Sequence, residues 1–371
     1  MMKKSAIVIG AGIVGLSVAR ALTIRGYAVT VIERSSKSVG ASIRNFGMVL
    51  PIAQPDGILF ERAMNSRRIW KSLCVDAKIW HDEVGSLQLA YADDEWQVLS
   101  ELAELYKHRG YTLLNSKQTC STSYPIVSHM LQGSLLSKDE IIVDPREAIS
   151  KIPEFLSERY SVKFIWNTTA TSIIRDTVFA GTKSYSADEI FVCSGSDFET
   201  LFPEEFANQN ITKCKLQMMR MAAQGENTRL GPMLCAGLSL INYNSFSVAP
   251  THSKLKARLH VDFPEYIKWG IHVMVSQNQS GELTVGDSHE YGLTPDPWDK
   301  ALVNDLILKY LNNFAQFKNE KIIETWNGVY SKMKSGETEL AIRPEDAVTI
   351  VNGLGGAGMT LSFGLAEEIV S

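Results

Sequence analysis

Six residues near the start of the chain, Gly10-Ala11-Gly12-Ile13-Val14-Gly15, have the types and spacing of a turn that cradles a diphosphate. Gly10 makes the tight turn, Gly12 lets phosphate approach the backbone, and Gly15 lets the following helix pack closely on a strand. The free amides at the helix start, together with its dipole, favour negative charge there. Glu33, at the end of the next apolar run, is placed to accept hydrogen bonds from an adenosine ribose. Its charge also argues against a 2′-phosphate, an argument that Arg34 beside it softens.

Such a turn works only between a strand and a helix. Ala6-Ile7-Val8-Ile9 reads as a strand buried on both faces of a parallel sheet. Leu16, Ala19, Leu22 and Thr23 carry a helical period that Gly26 closes, and Tyr27 to Ile32 forms the second strand. A rival reading exists: Met1-Met2-Lys3-Lys4 before an apolar run resembles a secretory leader, with Ala19-Arg20-Ala21 as its cleavage site. The second strand, ending on Glu33, decides against it.

Composition narrows the field. The chain has 371 residues, 45% hydrophobic and 21% charged, which predicts a folded protein of two or three domains. Thirty-seven basic against 41 acidic residues give a net charge of −4, and no basic stripe marks a nucleic-acid surface. The longest mainly apolar stretch, Ala6 to Ala19, is too short to span a bilayer and ends at Arg20. Five cysteines without a Cys-x-x-Cys pair support neither a disulfide framework nor a zinc site; a reducing, cytoplasmic compartment and no metal are expected.

Several further segments carry a resemblance. Gly40-Ala41-Ser42, after the second strand, is similar to the loop leading to the flavin ring in the D-amino-acid oxidase and glycine/sarcosine oxidase family. Asp144-Pro145-Arg146 opens a helix through Leu156 as in that family, and Ser161 to Ile173 resembles the strand against the adenine, with Ala170 at its usual valine. Ala187 to Gly195, ending Cys193-Ser194-Gly195, resembles the second glycine motif, where a strand returns beside the pyrophosphate. Gly353-Leu354-Gly355-Gly356-Ala357-Gly358-Met359-Thr360 is similar to the C-terminal turn that brings amides to the flavin.

The resemblance implies an α/β protein: a Rossmann-like FAD-binding domain of the glutathione-reductase type, with an inserted α+β substrate domain built on an antiparallel sheet. The expected division is 1–75, 141–205 and 321–371 for FAD, and 76–140 and 206–320 for substrate. Leu59, Ala63, Ser66, Trp70 and Leu73 form one helical stripe, and Asp94 to His108 a second helix. Short strands are expected at Lys215 to Arg220, Ser245 to Ala249, Ile271 to Ser276 and Leu283 to Gly286, the last two joined by a turn at Asn278 to Gly281.

The chemistry implied is oxidation of the C–N bond of a small amine, with hydride transfer to the flavin and hydrolysis of the imine. It needs an anion anchor and shaped walls more than acid–base machinery. Here the sequence departs from the family. The glycine oxidase branch carries a carboxylate-clamping arginine after a Trp-x-Gly; this chain has Trp326-Asn327-Gly328-Val329-Tyr330, with Tyr330 at the arginine position. A phenol does not replace a guanidinium fork. The cations in reach are Lys332, Lys334 and Arg343, and Arg44 in the segment Ser42-Ile43-Arg44-Asn45-Phe46-Gly47-Met48. The string Arg44-Asn45-Phe46-Gly47-Met48 is similar to a branch of the family associated with aminophosphonate breakdown. Arg44 with Asn45 could bind the substrate anion or neutralise the flavin; both readings stand.

Alternation in Ile271-His272-Val273-Met274-Val275 turns His272 toward the cavity above the flavin, whereas His289 reads as a loop residue near the domain seam. No cysteine follows Cys235, so FAD is expected to be non-covalent. Thr284 replaces the lysine that promotes oxygen reaction in the sarcosine oxidase branch, which leaves oxygen or another acceptor open. Two rivals remain at this level: an NAD-dependent dehydrogenase and a flavin-binding protein without turnover.

Overall fold

The computed structural model describes residues 3–225 and 228–371, so Met1 and Met2 lie outside the described residues. The strand Ser5–Ile9 is flanked by Ala28–Ile32 on one side and Glu189–Val192 on the other, both parallel to it. The six-stranded sheet extends to Lys163–Ile165 at one edge and to Val348–Asn352 and Leu340–Glu345 at the other, the last pair antiparallel. Ala6 and Val8 face one apolar cluster and Ile7 and Ile9 another, which explains the unbroken β-branched run. Helices Ile13–Ile24, Ile58–Asp76, Pro145–Tyr160 and Gly358–Ile369 contribute to the first cluster. Within it, buried Trp70 packs edge-on against Phe363 and donates its indole N–H to the Met359 carbonyl at 2.8 Å. The second cluster includes the three-stranded antiparallel sheet spanning Ser172 to Ser186.

A nine-stranded sheet stands over this layer. Its axis is the strand Ile211–Met221, paired along its length with Ile322–Met333 and, on the other edge, with Leu283–Gly286 and Glu290–Gly292. Met274–Gln277, Met233–Ala236, Ser86–Ala90, Gly133–Ser137 and Thr112–Asn115 continue it, antiparallel except where Met233–Ala236 meets Ser86–Ala90. Asp93–Leu105, His252–Asp262 and Ala301–Leu311 pack against it in a single apolar cluster.

The α/β architecture holds; several local expectations do not. Ile322–Met333 belongs to the large sheet, although the boundary at 321 gave it to the cofactor region. Residues 244–248 form a 3-10 helix in place of a strand, because Phe246 and Ala249, three apart, both turn into the core. The strand at Lys163 stops at Ile165, where Asn167 takes a left-handed φ of 53°, so Ala170 sits in a loop. The strand expected from Ile271 begins at Met274.

Candidate functional site

The Gly10 turn is shaped by what lies against it. Gly10 has φ of 100°, and a Cβ there would stand 2.4 Å from the Cys193 carbonyl oxygen. A Cβ on Gly15 would meet the Gly10 oxygen at 1.9 Å, so that helix and turn are in backbone contact. Glu33 accepts hydrogen bonds from the Ala11 and Ser35 amides at 2.9 and 3.0 Å, and Ser42 Oγ accepts from the Ile13 amide at 2.9 Å. Arg34 turns outward to pair with Asp197 at 2.7 Å. The second glycine motif is tied to the last parallel strand, for Asn352 donates to the Ser194 hydroxyl and the Gly195 carbonyl at 3.3 and 3.0 Å.

The C-terminal turn Gly355–Ala357 leads into the helix Gly358–Ile369, whose N-terminus has no side-chain cap. A Cβ on Gly358 would lie 3.6 Å from Ile13, so this helix and Ile13–Ile24 begin side by side. Two positive dipole ends thus meet at one place. Thr360 Oγ1 accepts from the Leu50 amide at 3.0 Å.

These residues open on a cavity of about 630 Å³, lined by Gly10, Gly12, Ile13, Val14, Glu33, Arg34, Ala41, Ser42, Ala170, Cys193 to Gly195 and Gly353 to Leu361. Gly15, behind the turn, is not part of the lining. Arg44, Asn45, His272, Tyr330 and Lys332 line the same cavity. Arg44 donates to the Asn327 carbonyl at 3.1 Å and packs over Gly328. The Asn45 carboxamide is committed to its own loop, donating to the Ala41 and Ser42 carbonyls and accepting from the Gly47 amide. Tyr330 is buried over Gly356, and burial holds its phenol well above the usual range. Half-buried Lys332 donates to the Tyr291 hydroxyl at 3.0 Å, while Lys334 is exposed and Arg343 pairs with Glu189. Thr284, though buried, is not in the lining.

The roof holds what the sequence did not reveal. His272 is buried, and its ring stacks on His289 with centroids 5.2 Å apart and planes 10° from parallel. Asp287 lies between them, one carboxyl oxygen 3.1 Å from His272 Nε2 and the other 3.8 Å from His289 Nε2. Burial drives the His272 imidazolium well below its usual range, His289 down to about 4 and the Asp287 carboxyl well up. Each of the three offers an atom within 4.8 Å of the others, a spacing at which a metal could sit. Their stacked rings are poorly disposed for one ion, which must lie near the plane of each imidazole. A polar Asp287-Ser288-His289-Glu290 run directly after a buried strand was the available signal for Asp287 and His289.

The two-layer fold and the paired helix starts make a site suited to a dinucleotide. Residues 5–371 match the DAO family, FAD dependent oxidoreductase, and the chain belongs to it. It is similar to D-amino acid dehydrogenase of Helicobacter pylori, 24% identical over 216 aligned positions, with 45% of this chain and 52% of the relative covered. The chain thus spans about half the length of the curated relatives it matches. Among solved structures it is similar to glycine oxidase from Bacillus cereus ATCC 14579 (TM-score 0.78, 14% identity, 99% of this chain and 94% of that one). It is also similar to L-proline dehydrogenase from P. horikoshii (TM-score 0.77, 19% identity, 99% and 92%). FAD is therefore the cofactor, which sets the nicotinamide reading aside. The residues present fit it: a glycine turn that cannot carry a Cβ, two adjacent helix N-termini for the diphosphate and a carboxylate for the ribose. Among the described residues no helix is long and apolar enough to cross a membrane.

Proposed function

We propose that this enzyme oxidises the C–N bond of a small amine that carries an anionic group, an amino acid, N-methyl amino acid or aminophosphonate. One observation carries the reading: a single cavity is lined both by the dinucleotide turn and by Arg44, Lys332, Tyr330 and His272. Bound FAD supplies the hydride acceptor. The protein residues do the rest. Gly10, Gly12, Ile13, Val14 and the Gly355 to Thr360 turn hold the diphosphate and flavin, and Glu33 holds the ribose. Lys332 and Arg44 receive the anion; as two separate cations they suit a tetrahedral phosphonate at least as well as a planar carboxylate. His272 faces the substrate nitrogen, and Tyr330 walls the cavity so that the C–H bond stays aligned.

Among the described residues Cys193 is the cysteine that lines the cavity, and burial pushes its thiol up to about 12, a poor nucleophile. With no cysteine after Cys235 near the Trp326 segment, FAD is held without a cysteinyl bond. All five cysteines are free, which supports a reducing, cytoplasmic setting.

The test is the visible spectrum of the purified protein, taken anaerobically before and after addition of sarcosine, glycine, D-alanine, 2-aminoethylphosphonate or its N-methyl derivative. Bleaching by one of them establishes the reaction class and substrate group together. Flavin bands that none of these amines bleaches would leave the FAD assignment standing and overturn the proposed substrate group.

A further inference from the structure

His289 has its proton assigned by the fold. Its Nδ1 lies 2.8 Å from the Gly270 carbonyl, which can only accept, so the hydrogen is on Nδ1 and Nε2 carries a bare lone pair. That Nε2 lies 3.8 Å from an Asp287 oxygen, beyond hydrogen-bond reach. On the other side, Asp287 Oδ1 lies 3.1 Å from His272 Nε2 but out of line for a hydrogen bond, and it has no partner among the described residues. His272 Nδ1 is buried without a partner as well. Asp287 is 6% exposed, yet its carboxyl and both rings line the substrate cavity. Buried acceptors left in this state await a donor.

Resting on the amine reading above, we propose that Asp287, held between His272 and His289, receives the substrate's ammonium group and takes its proton, leaving the neutral amine that oxidation requires. In this step one N–H bond of the ammonium breaks and one O–H bond forms on Asp287, with no electrons exchanged. His289 Nε2 accepts a second N–H of the same nitrogen. Net charge is unchanged: an ammonium beside a carboxylate becomes an amine beside a carboxylic acid. A buried site tolerates that exchange because neither product is charged. The strong burial that raises the Asp287 carboxyl makes it the better proton holder, while both imidazoles stay neutral. Lys332 acts on Asp287 and both rings by its positive charge, opposing their protonation. Tyr243, Tyr330 and Cys214 also act on the carboxyl, and burial keeps all three protonated; the half-exposed Tyr291 phenol is raised as well.

The experiment measures binding by the change in flavin absorbance, anaerobically and across pH, for 2-aminoethylphosphonate and for ethylphosphonate, which has the anion but no nitrogen. FAD-loaded wild type is compared with Asp287→Asn. The wild-type complex holds one of the two available protons, so its affinity for the amine passes through a maximum with pH. The Asp287→Asn complex holds none, so its affinity rises about tenfold per pH unit up to the amine pKa and then stays level. At pH 7 the variant binds the amine at least tenfold more weakly, and ethylphosphonate within twofold of wild type. The same pH profile in both proteins, or equal losses for the two ligands, overturns the proposal and leaves the amine reading intact. Failure of wild type to bind the amine while binding ethylphosphonate overturns both. If Asp287→Asn does not retain FAD, His289→Gln serves: a three- to tenfold loss for the amine alone supports the role, and an unchanged amine affinity refutes it.

Discussion

The two ends of the cavity are built from different materials. The cofactor end is backbone: amides of the Gly10 turn, the Cys193 carbonyl, the amides of the Gly355 turn and two helix starts. The end we propose for the substrate is side chains: His272, Asp287, His289, Tyr330 and Lys332 from strands of one sheet or their extensions, and Arg44 from a loop. A site made of backbone tolerates little change, since a Cβ in the wrong place blocks it. A site made of side chains can be rewritten one residue at a time while the sheet stands.

If that contrast is sound, Gly15→Ala has the largest effect of any single substitution considered. Its Cβ would overlap the Gly10 oxygen, and overpacking against backbone costs about 3 kcal/mol or more. The expected result is protein that purifies without yellow colour, with a melting temperature at least 5 °C lower; retained flavin at wild-type stability would break the contrast. Glu140, near Ile52 on the seam between the layers, tests stability without touching either end. It is fully buried, accepts from the Ile52 amide at 3.1 Å, and burial raises its carboxyl to about 7. A carboxyl that holds its proton more tightly when folded makes the native state bind more protons between pH 4.5 and 7. Stability therefore falls as pH rises through that window, by about 3 kcal/mol at most. Glu140→Gln should flatten that slope in denaturant melts and leave flavin binding alone.

Glu33→Ala removes a carboxylate that also orients Ala11, so FAD should bind ten- to a hundredfold more weakly by equilibrium dialysis, at unchanged amine specificity. Arg44→Leu should do the opposite. FAD occupancy is kept, while the dissociation constants of anionic amines rise about tenfold and those of neutral amines do not. Equal effects on both amine sets would remove Arg44 from the anchor. Arg34→Ala is the smallest: its exposed pair with Asp197 is worth under about 1 kcal/mol, and FAD affinity should shift less than threefold.

The same contrast explains what could be read from the sequence. Backbone sites need glycine at fixed spacing, so the Gly10 turn, Gly195 and the Gly353 to Gly358 run stood out, and the strands beside them followed. The Asp287 cluster depends on pairing that places 272 opposite 287, and on a return at Gly270 that brings His289 over His272. Neither is written in local spacing. The helix at 252–262 was missed although Leu255 and Leu259 lie four apart, because the short strands expected on either side suggested continuation. The Ser245 to Ala249 alternation was a false strand, since burial there follows a three-residue step.

The central strand Ser5–Ile9 carries a consequence for how the chain is made. Its neighbour Ala28–Ile32 follows almost at once in synthesis, but Glu189–Val192, on its other edge, arrives only after residues 33–188 have been made. Until then this buried apolar strand shows an open hydrogen-bonding edge, the condition in which nascent chains misassociate. Synthesis rate through residues 33–189 thus becomes a determinant of yield, and slowing it should increase the share of aggregated chains more than any change in the finished protein's stability would suggest.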